Sequence, residues 1–152
     1  MIVDQLTEIV AHLTPGSRLM GLDLGTKTIG IALSDTSRKV ASPFDTIRRT
    51  KFQADADQLL ALADEHQVGG FVLGLPLNMN ASEGPRAQAT RAFAANLAKR
   101  TEIPIAFWDE RLSTVAAERV LLEADQSRRR RAQVIDKMAA AYLLQGALDR
   151  LG

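Results

Sequence analysis

The stretch GLDLGTKTIGIALSD, residues 21–35, constrains this chain more than any other. Residues 19–25 and 28–34 are two apolar runs, and only Gly25-Thr26-Lys27 separates them. So short a link between two strands forces an antiparallel hairpin. Asp23 stands inside the first run, between Leu22 and Leu24. A carboxylate in a strand otherwise fit for burial is costly. It needs a cation, hydrogen-bond partners or a raised pKa.

The pattern on either side of the hairpin completes a sheet. Leu6, Ile9, Val10 and Leu13 recur at helical spacing, so residues 2–13 read as a short amphipathic helix that Thr14-Pro15-Gly16 stops. Residues 40–48 supply a third strand, which Pro43 confines to an edge. Phe52, Ala56, Leu59 and Ala63 mark a helical face ended by Gly69-Gly70. FVLGLPL, residues 71–77, has the unbroken apolar character of a buried parallel strand. Residues 78–85 read as a loop, and a helix follows through Thr90, Phe93, Ala94 and Leu97. Residues 103–108 form a fifth strand, and Ser113 or Thr114 caps a helix running to about residue 123. Residues 125–133 lack periodicity and read as a basic loop before a last helix over about 134–148. The order predicts an α/β fold: a mixed five-stranded sheet, antiparallel on one side and parallel on the other, with helices on both faces.

At 152 residues and 46% apolar content, the chain has material for one domain over 1–152, with 1–17 as a helical extension. No apolar run approaches the roughly 18 residues of a membrane span. The start, MIVDQLTEIVAHL, carries Asp4 and Glu8 and no early Lys or Arg, unlike a secretory signal. Cysteine is absent, which removes disulfides, thiolate metal sites and thiol nucleophiles. With only two histidines, a His-based metal site is not expected either. These features fit a soluble cytoplasmic protein. The net charge of +1 does not mark a nucleic-acid binder, but Arg128–Arg131 and the Arg48, Arg49, Lys51 cluster concentrate positive charge.

Two further carboxylates share the oddity of Asp23. Glu110 follows the strand IPIAFW in the stretch FWDERLST, and Asp136 has apolar Ala139, Ala140 and Leu143 at i+3, i+4 and i+7. Each has an ordinary explanation: a turn cap for Asp23, an ion pair with Arg111 for Glu110, a helix N-terminus for Asp136. Three acids on three elements, each beside an apolar stretch, point instead to one shared edge of the sheet. Carboxylate oxygens are the ligands Mg2+ prefers. Two such ions about 4 Å apart serve phosphodiester hydrolysis.

GLDLGTKTIGIALSD, VLGLPLNMNASEGPRA, DERLSTVAAE and IDKMAAAYLL, in this order, resemble the YqgF/RuvX family over about residues 18–150. The resemblance implies an RNase H-like fold related to the resolvase RuvC. It implies a nuclease that matures the 5′ end of pre-16S ribosomal RNA or resolves Holliday junctions. It also implies an acidic triad for Mg2+ or Mn2+, carried by motif onto Asp23, Glu110 and Asp136. Asp109 adjoins Glu110, and alternation lets at most one of the two face the metals. Lys27, Arg86, Arg111 and Arg128, Arg129 and Arg130 are candidate contacts to substrate phosphates, while Asn78 and Asn80 either bind the substrate backbone or make a turn. Symmetric junction resolution would call for a homodimer.

Two other readings compete. The hairpin also resembles the phosphate-holding turn of sugar-kinase and actin-like ATPases, which generally need two such domains, and no GxxxxGK[ST] is present. A non-catalytic ribosome-assembly or nucleic-acid-binding factor is the third.

Overall fold

The computed structural model describes residues 1–112 and 128–152. Five strands form one sheet in the order β3-β2-β1-β4-β5: β1 Arg18–Leu24, β2 Thr28–Ser34, β3 Ala41–Arg48, β4 Val68–Leu75 and β5 Ile105–Asp109. The first three strands make an antiparallel meander, with Asp23 paired to Gly30 across the hairpin. β4 and β5 add parallel to β1. β3 is an edge, as Pro43 requires, and the register slips beside it between Ile31 and Ala32.

Helices α1 (Phe52–Glu65) and α2 (Pro85–Ala98) make the crossovers into β4 and β5. Both crossovers step in the same direction along the sheet. Right-handed connection therefore lays both helices on one face. Proline at N1 after Gly84 starts α2 where a missing N–H costs nothing. The opposite face is covered by α3 (Arg128–Leu151), which lies over β1, β2 and β3.

The two faces have separate cores. Met20, Leu22, Ile29, Ile31, Phe71 and Leu73 pack against Ala56, Leu59, Phe93 and Leu97 of α1 and α2. Leu19, Ala32, Val72 and Ala106 pack against Ala140, Leu144 and Ala147 of α3. Burying one such Leu or Phe side chain stabilises the fold by roughly 1.5–3 kcal/mol.

Two sequence expectations need correction. The N-terminal segment is not a continuous amphipathic helix over 2–13. Ile2 forms a parallel bridge with Ile105, and a 3-10 helix spans Leu6–His12. The Val3 amide donates to the Ile105 carbonyl at 2.9 Å, and the Ile105 amide to the Met1 carbonyl at 2.8 Å. The first residues thus cover part of the exposed β5 edge. Leu6 and Ile9, three apart, are the buried positions, while Val10 is 49% exposed. That period of three fits a 3-10 helix rather than an α-helix.

The second correction concerns the last helix, expected from near 134 and already helical at Arg128. The arginine run is helical backbone, not a loop. The helix expected over 113–123 lies outside the described residues.

Candidate active site

Strand alternation decides which side chains meet. In β1 it sends Met20, Leu22 and Leu24 toward α1 and α2, and Leu19, Gly21 and Asp23 toward α3. In β2 it places Thr28, Gly30 and Ala32 on the α3 side. In β5, Ala106 and Trp108 face α3, and Glu110, which opens the 3-10 turn after β5, meets Gly74 on the same face. Asp109 falls in phase with Ile105 and Phe107, on the other side.

Asp23, 8% exposed, has a bare neighbour on each side. Across the hairpin is Gly30, where an added Cβ would overlap the main chain of Asp136. Leu22 pairs with Leu73, so Gly74 is next in register to Asp23 on the β4 side. An added Cβ at Gly74 would overlap the Glu110 side chain. The α3 backbone at Asp136 and the Glu110 carboxylate therefore descend onto the sheet on either side of Asp23. A third close approach, Gly21 against Leu144, seats the helix farther along.

The three carboxylates line one crevice of about 340 Å3, at the C-terminal ends of the parallel strands. Open α/β sheets place their binding sites at such ends. Lys27 of the hairpin turn and Arg86 of α2 also border it. Asp136 lies about two turns in from Arg128, outside the first turn where the helix dipole acts. The Thr28 hydroxyl donates to its Oδ2 at 2.6 Å.

Asp109 is committed elsewhere. Arg111 grips it with a fork: Nη2 to Oδ2 at 2.6 Å and Nε to Oδ1 at 3.0 Å. The guanidinium holds the Asp109 carboxyl below the usual aspartate range, and the carboxylate raises Arg111 in turn. The other Arg111 nitrogen, Nη1, donates to the Met79 carbonyl at 3.1 Å. Arg111 therefore clamps the 78–84 loop and is not among the residues lining the crevice. Asn78 and Asn80 make that loop's turn: Asn78 Nδ2 bonds Ser82 Oγ, and the Ser82 amide donates to Asn80 Oδ1.

The donor set is all oxygen, three carboxylates and a hydroxyl, which is the chemistry Mg2+ and Mn2+ favour. Among the described residues, no three acidic or histidine side chains stand close enough to share one ion. With Asp136 held by Thr28, the acids surround the crevice without closing on one point.

Beside the acids the sequence pointed to, Thr28, Gly30 and Gly74 also shape the site. Their signal was available in the small–large alternation of TIGIA and VLGL, which marks one face as bare.

The family model for RuvX, described as a Holliday junction resolvase, matches residues 17–150. A protein of Paramagnetospirillum magneticum named "Putative pre-16S rRNA nuclease" is 66% identical over 142 residues, covering 93% of this chain and 92% of its own. A protein of the same name from Ruegeria pomeroyi is 62% identical over 151 residues, covering 99% and 98%. The structure of Thermus thermophilus RuvC in complex with a Holliday junction substrate superposes with a TM-score of 0.55. It covers 90% of this chain and 96% of its own at 11% identity, a likeness of fold, and the fold is RNase H-like. On its sequence matches, the chain belongs to the RuvX family.

Proposed function

We propose that residues 1–152 act as one metal-dependent endonuclease domain that hydrolyses phosphodiester bonds of structured nucleic acid. The observation carrying this reading is the shared crevice of Asp23, Glu110 and Asp136, delivered by β1, the end of β5 and α3. Mg2+ or Mn2+ held by these carboxylates would supply an activated water and stabilise the departing oxygen. Asp23 would be the buried anchor of the set. Thr28 fixes which way Asp136 turns. Lys27 and Arg86 stand on the rim, where cations attract the substrate backbone without reading its sequence. The positions of Arg128–Arg131 lie about 8–12 Å along α3 from Asp136, at a rise of about 1.5 Å per residue. Their charge belongs to the approach of the substrate rather than to a closing loop.

The relatives' names favour pre-16S rRNA as substrate, and hence work in the cytoplasm. Junction resolution, named by the family description, would need two active sites and so a homodimer. Among the described residues, no helix is long and apolar enough to cross a membrane. A binding factor without catalysis is the second reading. It draws on the hydrogen bond that already occupies Asp136.

The test compares a labelled pre-16S 5′ leader and a four-way DNA junction side by side, with Mg2+, Mn2+ or EDTA. Metal-dependent cutting of the leader is expected. Asp23→Asn should lower the rate at least about 100-fold, the upper range for residues that merely support metal ligands. Binding without cutting, unchanged by Asp23→Asn, would favour the binding factor, and ATP turnover an ATPase.

A further inference from the structure

A second, smaller hollow of about 70 Å3 lies against the back of the hairpin turn. It shares Leu24, Gly25, Thr26 and Arg86 with the acidic crevice, so the two open on a common rim. Its new element is Arg49. Arg49 Nη1 donates to the Gly25 carbonyl at 2.6 Å, and Arg86 Nη2 to the Leu24 carbonyl at 2.9 Å. Two guanidiniums from β3's end and α2 thus converge on consecutive carbonyls of one turn. The Arg49 guanidinium also lies 5.7 Å from the centre of the Phe93 ring, which limits its freedom.

Neither arginine has a carboxylate partner among the described residues. By contrast Arg91, Arg100 and Arg111 are each paired with Glu83, Asp57 and Asp109. Two like charges gathered at one hollow repel each other; neutral carbonyls offset this only in part, and the crevice acids that Arg86 also borders form no ion pair with either arginine among the described residues. Each fork has five N–H donors, and the turn occupies one from each. An anion with several oxygens would take up the remaining donors and neutralise the pair.

We infer that Arg49 and Arg86 form a phosphate subsite, which receives a backbone phosphate next to the one placed over the carboxylates. This rests on the nuclease reading. The acids repel the substrate strand around the bond to be cut, and the adjacent hollow holds the strand in place.

The test is equilibrium binding of the labelled leader RNA in EDTA across a salt series, so that no cleavage is needed. Arg49→Gln and Arg86→Gln should each weaken binding several-fold near 0.15 M salt. Each should lower the slope of log K against log salt by about one, and the double variant by about two. Arg49→Lys and Arg86→Lys, which keep the charge but lose the fork, should retain the slope. Arg100→Gln, at an arginine that lines neither hollow, should leave it unchanged. Wild-type slopes in both Gln variants would overturn the subsite, even if cleavage falls, because the arginines would then only brace the turn. Salt-dependent binding without metal-dependent cutting by the wild type would remove the nuclease reading and leave the anion site standing.

Discussion

The two faces of the sheet are built on opposite rules. Toward α1 and α2 the strands present Met20, Leu22, Ile29, Ile31, Phe71 and Leu73, large side chains that fill the space between sheet and helices. Toward α3 they present Gly21, Asp23, Gly30, Ala32 and Gly74, so the helix backbone comes down almost onto the strands. The first face is organised by volume and the second by close approach. A carboxylate in β1 fits on the second face, where glycines leave its flanks open to the crevice it shares with Glu110 and Asp136. Both faces bury a core, and the second also positions chemistry.

Leu22→Ala separates the two rules most sharply. It empties the apolar face next to Asp23 and should cost about 3 kcal/mol, within the usual range for buried Leu→Ala. Denaturant unfolding measures this. The cleavage rate should stay within a few-fold at temperatures where the variant is folded. A large activity loss would show that the faces are not independent.

Gly30→Ala is the converse. Its methyl group would collide with the Asp136 main chain, a rigid neighbour that cannot rotate away. The stability cost should be about 1–3 kcal/mol, the range for overpacking. The catalytic loss should exceed what unfolding explains, since α3 carries Asp136 with it. Full activity in a folded Gly30→Ala protein would contradict the close-approach rule.

Thr28→Val keeps the shape but removes the hydroxyl from Asp136. Cleavage should fall about 10-fold, as for other groups that orient metal-binding side chains, and Thr28→Ser should restore it. The Mn2+ concentration giving half-maximal rate should rise in Thr28→Val alone.

The smallest effect concerns acid stability. Arg111 lowers the Asp109 pKa in the folded protein. This stabilising contribution is therefore complete above the ordinary aspartate range and is lost as pH falls through the folded value. Both partners are partly exposed, so the effect is small. Asp109→Asn should flatten the acid limb of the melting temperature against pH. It should leave the crevice acids working at neutral pH.

The hairpin, the mixed five-stranded sheet and the unusual placing of the three acids were legible because each rests on local pattern: a three-residue turn, alternation, and a charge in an apolar run. The choice between Asp109 and Glu110 was not. It depends on the phase of β5, which Ala106 and Trp108 reveal only once they pack on α3. The start of α3 was hidden because four arginines show no apolar period, although arginine favours helices by propensity. At the N-terminus, Leu6, Ile9, Val10 and Leu13 imitate an α-helix. Only the bridge from Ile2 to Ile105 shows that the sheet edge takes the first residues. The phase of β5 and the path of the first residues were each set by a distant partner.

The most direct measurement is anomalous diffraction from crystals soaked in Mn2+. The expected result is density in the crevice, with ions at about 2.0–2.3 Å from carboxylate oxygens of Asp23, Glu110 and Asp136 together. Manganese bound at other surface acids, with Asp136 still turned to Thr28 and Asp23 untouched, would contradict a shared metal centre.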